Sequence, residues 1–146
     1  MKVLLDTCVI IDFLQRREPF DQEAVHIMRL AAVNQISGFI TAKSATDIYY
    51  LSHRATHSDK ESRLRLNQLL SIIGMLDTSA EDVFHAISSD TSDFEDAVMI
   101  ETAIRSGMDC IVTRNVKDYE KSKLTVYNPE EFIKSLKEDN VQGEST

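Results

Sequence analysis

The sequence predicts an α/β fold, a three-layer α/β/α sandwich around a mainly parallel, five-stranded central sheet. Three observations predict it. Short apolar runs of strand length recur along the chain, with stretches of helical periodicity between them. The runs are apolar throughout, as in strands buried on both faces. No linker, internal repeat or low-complexity tract divides the 146 residues, a length that suits one domain with a real core. Right-handed crossovers between parallel strands then set helices on both faces of the sheet.

Val3–Leu5 is the first strand, closing at Asp6. Thr7 is placed to cap a helix running to Leu14, and Glu18-Pro19 breaks the pattern. Asp21 to Val33 carries apolar residues at Ala24, Val25, Ile27, Met28, Leu30 and Ala31, the stripe of a helix packed on a core. Gly38–Thr41 is the second strand. Helices are expected from Ser44 to about Ala55 and over Lys60–Ile73, with Gly74 as a left-handed cap on the latter. Met75–Asp77 is the third strand. Ser79, Glu81 and Asp82 mark a helix start, a capping hydroxyl with acids in the first turn, and that helix runs to about Ser89. Ser92–Arg105 is another helix, ended by Gly107. Asp109–Thr113 and Leu124–Tyr127 are the fourth and fifth strands, and Pro129 opens a final helix. The domain spans 1–137, and 138–146 reads as a flexible polar tail.

Composition removes several function classes. A hydrophobic fraction of 42% argues against disorder. No apolar run reaches the length of a membrane span, and Asp6 and Asp12 interrupt the N-terminal apolar stretch, which lacks a small-residue cleavage site. The expected location is cytoplasmic. Cys8 and Cys110 belong to no CxxC pair, and His26, His53, His57 and His85 share no ligand spacing, so zinc is not expected. The net charge of −8 argues against a sequence-independent DNA coater. Basic residues cluster locally, at Arg54, Lys60, Arg63 and Arg65 and again at Arg114, Lys117, Lys121 and Lys123. Nucleotide-binding glycine motifs and serine–histidine or cysteine–histidine constellations are absent.

The acids are more informative. In open parallel sheets, ligands bind beyond the carboxyl ends of the strands, near the switch in strand order. Asp6 closes the first strand, and Asp47 lies in the first turns of the helix after the second. Asp93 and Asp96 stand three apart near a helix N-terminus, with Asp96 bordering the apolar face of Ala97, Ile100 and Ile104. Asn115 and Asp118 follow the fourth strand. Capping, solvation, the helix dipole or turn formation explains each one alone. Together they bring carboxylates to one rim. Two carboxylates about 4 Å apart repel by roughly 4 kcal/mol at an effective dielectric near 20. Such a group protonates or takes a cation. A hard divalent ion is held by one or two carboxylates plus substrate phosphate, and it activates water against a phosphodiester.

Four segments, LLDTCVIIDFLQRREPF, ITAKSATDIYYL, DFEDAVMIETAIRSGMDCIVTRN and KDY, occur in order and at family-like distances. On them the chain resembles a PIN domain, the nuclease fold common among bacterial toxin–antitoxin ribonucleases, over about residues 2 to 133. The resemblance implies Mg²⁺- or Mn²⁺-dependent endonucleolytic cleavage of single-stranded or structured RNA. Asp6 matches the family's first acid. Asp47 takes the second position, where glutamate is usual, and Asp96 the third, with Asp93 beside it. Asn115 stands where many members carry Asp, and Asp118 supplies that charge three residues on. The implied metal ligands are Asp6, Asp96 and Asp118. Asp47 orients or deprotonates the attacking water, or binds metal through water, and Asp118 and Asn115 complete the shell. Thr113 contacts substrate or a ligand carboxylate, and Arg114 or Lys117 neutralises phosphate. The resemblance also implies an antitoxin partner and a homodimer, for which Tyr49-Tyr50-Leu51 offers an exposed helix face.

Two other classes compete. The residues at 47 and 115 would also suit a catalytically weak or inactive PIN-like module that binds RNA or protein. A phosphate-transfer domain of the receiver or dehalogenase type also has a first-strand Asp. The dehalogenase pattern wants DxD or DxT where this chain reads Asp6-Thr7-Cys8, and a receiver wants a lysine after strand five that has no well-placed counterpart.

Overall fold

A computed structural model describes residues 1–144. Five strands make one sheet: β1 (Lys2–Leu5), β2 (Ser37–Thr41), β3 (Gly74–Leu76), β4 (Cys110–Val112) and β5 (Thr125–Tyr127). Seven helices connect and cover them: α1 (Thr7–Leu14), α2 (Asp21–Ala32), α3 (Ala42–Thr56), α4 (Asp59–Leu69), α5 (Ala80–Ile87), α6 (Phe94–Arg105) and α7 (Pro129–Glu144). A 3₁₀ turn spans Val116–Tyr119.

The strand order is β3-β2-β1-β4-β5, and every neighbouring pair is parallel. From the central β1 the chain moves outward through β2 and β3, then returns to lay β4 on the other side of β1. The switch in strand order therefore falls between β1 and β4, whose last residues, Leu5 and Val112, are paired. The Asp6 N–H continues that ladder by donating to the Val112 carbonyl at 3.0 Å.

Alternation along the strands divides the core in two. Val3, Leu5, Cys110 and Val112 face a cluster with Val9 and Ile10 of α1, Ile27 of α2, Ile48 of α3 and Phe132 of α7. Leu4 and Ile111 face the other side, against Ile100 and Ala103 of α6 and Tyr119 of the 3₁₀ turn. Burial of each large aliphatic side chain here contributes about 1.5–3 kcal/mol.

Polar ties fix the second layer. Ser79 and Asp82 form a reciprocal capping box at the start of α5. Asp82 is buried and also accepts from the Thr102 hydroxyl at 2.8 Å and from Arg105 at 2.8 and 3.0 Å, which locks α5 to α6. Burial alone would raise its pKa, but the bonds from Arg105, the Ser79 backbone and Thr102 outweigh it and hold the carboxyl at about 2.

Several boundaries differ from the sequence reading. Asp6, not Thr7, is the N-cap of α1, with its carboxylate accepting from the Thr7 N–H at 2.8 Å. Asp93 likewise caps α6, which begins at Phe94 rather than Ser92. Gly74 is no helix cap. α4 ends at Leu69, and Gly74 opens β3 opposite Phe39. A Cβ at Gly74 would lie 2.7 Å from the Phe39 ring, so close strand approach, not a left-handed turn, is what glycine serves there. Gly107 does have the left-handed conformation, φ +71°, just past α6. The tail expected from 138 is helical through Glu144, as a continuation of α7. Ser145 and Thr146 lie outside the described residues.

Candidate functional site

Asp6 at the carboxyl end of β1, the start of α1, and the N-terminal parts of α3 and α6 surround one cleft of about 340 Å³. Asp6, Thr7, Lys43, Asp47, Glu95 and Asp96 contribute to its lining, with Tyr50, Leu51 and Arg54 extending it along α3. The position is the one expected of a doubly wound sheet.

Asp6 is the most firmly held acid. Its Oδ2 accepts from the Thr113 hydroxyl at 2.7 Å, while its Oδ1 takes the Thr7 N–H. Thr113 is fully buried just beyond β4, and its oxygen accepts the Asn115 N–H at 3.1 Å. A relay thus runs from the loop after β4 through Thr113 to Asp6. The Cys8 thiol lies 3.6 Å from Asp6 Oδ2. Burial and then the Asp6 charge raise its pKa, so it stays a neutral thiol and not a nucleophile.

Asp96 lies in the first turn of α6, half-buried, and its Oδ1 accepts from the Tyr119 hydroxyl at 2.9 Å. Its carboxyl is pushed up to about 6. Burial is the largest cause; the Tyr119 bond opposes it, and the charges of Asp93, Asp6 and Asp118 add to it. Tyr119 is itself raised by burial and by Asp6 and Asp96, so it remains a donor. Asp93, as the α6 cap, accepts the Asp96 N–H at 3.0 Å and so orients the turn that carries Asp96.

Asp47 faces the same cleft from α3, but it is not free. Lys43 lies 2.7 Å from it and 3.0 Å from Glu95. Burial would lower the Lys43 pKa, yet its hydrogen bonds to the two acids prevail and raise it.

The remaining expectations divide. Thr113 does contact a site carboxylate. Asp118, on the 3₁₀ turn, does not line the cleft; it lines a neighbouring depression with Asp90, Lys117 and Lys121. Its charge still bears on Asp96. Arg114 turns away altogether. Its guanidinium grips Asp12 at 2.6 and 3.2 Å and lies 4.1 Å over the Phe20 ring. Asp12 is 1% exposed, so Arg114 neutralises a buried acid rather than phosphate. Asn115 acts through its backbone on Thr113.

Four residues escaped the sequence reading: Lys43, Glu95, Tyr119 and Asp12. Lys43 carried a signal, its i,i+4 spacing to Asp47. So did Asp12, a lone acid within the apolar run VIIDFL. Tyr119 sits in the KDY segment without a mark of its role, and Glu95 reads as an ordinary first-turn acid.

Among the described residues, no group of three or more Asp, Glu, His or Cys side chains is arranged to hold an ion. Two carboxylates completed by water and phosphate oxygens are sufficient for Mg²⁺ or Mn²⁺. Asp6 and Asp96 fit that description. Both are oxygen donors on the same cleft, each is oriented by a hydroxyl, and the burial and neighbouring acid charges that raise Asp96 are both unfavourable to its bare carboxylate, which a cation would offset.

A family model described as PIN domain matches residues 2–117. Among proteins of curated function, none matches the sequence. Three of the solved structures that share the fold illustrate the likeness. A chain of the VapBC2 complex of Rickettsia felis, bound to a promoter DNA fragment, is 17% identical, with 88% of this chain and 98% of that chain covered and a TM-score of 0.65. A chain of the FitAcB structure from Neisseria gonorrhoeae is 19% identical, covering 87% and 97%, also at 0.65. A sarcin–ricin-loop-cleaving toxin of Mycobacterium tuberculosis is 14% identical, covering 75% and 86%, at 0.58.

Proposed function

The chain belongs to the PIN-domain family, and on that premise we propose that it is a divalent-metal-dependent endoribonuclease serving as the toxin of a toxin–antitoxin pair. One observation carries the catalytic part. Asp6, from the end of β1, and Asp96, from the first turn of α6, line one cleft at the switch in strand order.

Mg²⁺ or Mn²⁺ bound there would acidify a water and offset charge on the phosphate. Asp6 and Asp96 would each present an oxygen to the ion, in poses fixed by Thr113 and Tyr119. Asp47 orients the attacking water and takes its proton. The water oxygen bonds to phosphorus, one phosphorus–oxygen ester bond breaks, and the leaving oxygen takes a proton from solvent. Asp118 contributes charge at Asp96, and Asn115 steadies Thr113.

The test is cleavage of RNA by purified protein with Mn²⁺ or Mg²⁺. Asp6→Asn and Asp96→Asn each abolish cleavage while circular dichroism shows the fold intact. Undiminished cleavage by the Asp6→Asn protein would overturn its assignment. A second reading, a non-catalytic module for RNA or a protein partner, is favoured by the Lys43–Asp47 pair, which occupies one of the family's acids. Neither saturable Mn²⁺ binding nor cleavage would decide for it.

The same reading supplies RNA as substrate, a protein antitoxin and a homodimer. The Rickettsia complex, a toxin–antitoxin relative in fold, supports the antitoxin. Exposed Phe84, Ile87 and Phe94 around α5 and α6 support a covered protein face. Cytoplasmic location is part of the proposal; no helix among the described residues is long and apolar enough to cross a membrane.

A further inference from the structure

Lys43 stands in the first turn of α3, with its Nζ 2.7 Å from Asp47 Oδ2 and 3.0 Å from Glu95 Oε1. The two acids belong to different helices, and all three side chains line the cleft that holds Asp6 and Asp96. We propose that the Lys43 ammonium is a built-in cation in the place of a second divalent ion. The centre then works with one metal ion, and Lys43 supplies the other positive charge to the substrate phosphate. This inference rests on the nuclease reading of the same cleft.

Helix stabilisation does not account for the arrangement. A lysine four residues before an acid is the weaker order for a helical pair, and Glu95 reaches Lys43 from another helix altogether. The charges lining the cleft are also suggestive. Four carboxylates, Asp6, Asp47, Glu95 and Asp96, face two basic side chains, Lys43 and Arg54. The remaining two negative charges are what one divalent ion cancels. Without Lys43 the excess grows, and two carboxylate oxygens already gathered around one point become available to a second ion. In two-metal nucleases that second ion stabilises charge on the reacting phosphate. An ammonium is a compact point charge with three donors, suited to a non-bridging phosphate oxygen. The Glu95 contact is solvent-exposed and therefore weak, so the ammonium can exchange Glu95 for phosphate while Asp47 still anchors it.

The experiment is Mn²⁺ stoichiometry by calorimetry and electron paramagnetic resonance on the full chain, beside RNA cleavage. The wild type is expected to bind one Mn²⁺. Lys43→Met gains a second, weaker Mn²⁺, and adding Glu95→Gln to that variant removes it again. Cleavage by Lys43→Met falls about 100-fold at low Mn²⁺, the loss expected for one electrostatic partner of the transition state. It recovers at high Mn²⁺, and Lys43→Arg retains part of it. One Mn²⁺ in both wild type and Lys43→Met, or two in the wild type, overturns the role of Lys43 and leaves the nuclease reading standing. A wild type that neither binds Mn²⁺ nor cuts RNA overturns both.

Discussion

The buried hydroxyl of Thr113 donates to Asp6 across 2.7 Å, joining the residue just past β4 to the residue just past β1. Removing this donor frees a carboxylate that the proposed metal ion would need in one pose. Partners of metal ligands are typically worth about 10–100-fold in affinity. Thr113→Val is therefore expected to weaken Mn²⁺ binding by about that factor, with Thr113→Ser close to wild type. Equal affinity in all three proteins, by calorimetry, would remove Thr113 from the centre.

Metal binding should depend on pH through Asp96. Its carboxyl titrates at about 6 in the folded protein, above the ordinary 3.8. Below about 6 it holds a proton that an incoming ion must displace. Mn²⁺ affinity is expected to rise between pH 5 and 7 and then level off. Asp96→Asn should bind more weakly and lose that rise. A wild-type profile flat across this range counts against Asp96 as a ligand.

Acid stability should depend on Asp82. Its folded pKa of about 2 lies below the ordinary 3.8, so the folded state favours the ionised form. The stability it contributes is complete above about pH 4 and lost as pH falls through about 2. Asp82→Ala leaves Arg105 with Asp77 alone, removes the Ser79 and Thr102 bonds and unties α5 from α6, a loss of about 1–3 kcal/mol at neutral pH. Urea unfolding at pH 7 and pH 3 measures both effects, and a variant as stable as wild type refutes the link.

Arg114 separates structure from substrate binding. Arg114→Ala leaves Asp12 buried and unpaired, and is expected to cost about 3–5 kcal/mol. Asp12→Asn in the same chain restores part of that loss. Arg114 makes its contacts to Asp12 and Phe20, so a folded Arg114→Met/Asp12→Asn protein should keep the wild-type salt dependence of the proposed RNA binding. A shallower salt slope would return Arg114 to the phosphate.

The sheet was legible in the sequence because its strands are buried on both faces and read as unbroken apolar runs. Helix ends were less so. Asp6, just past β1, and Asp93, in the loop before α6, are helix caps, and in sequence an Asp that caps looks the same as one that lines a site. Gly74 misled because a glycine after a helix and a glycine beside a bulky cross-strand neighbour look alike until the register with Phe39 is known. Asp6 and Asp96 could be placed from sequence because each borders an apolar run that fixes its direction. Arg114 and Glu95 could not, and Lys43 only as far as its i,i+4 spacing to Asp47. Long side chains reach partners that no local pattern specifies, as Arg114 reaches Asp12 across 102 positions.

The Thr113–Asp6 bond spans 107 positions. Synthesis proceeds at about 5–20 residues per second, so Asp6 waits on the order of 5–20 s for the group that orients it. Until β4 has been made and docked beside β1, a nascent chain holds its first acid without the second strand of the cleft. On the nuclease reading, a ribosome making this protein is thus not exposed to the proposed RNA-cutting centre until synthesis has passed Thr113, and interruption before that point yields fragments with no assembled site.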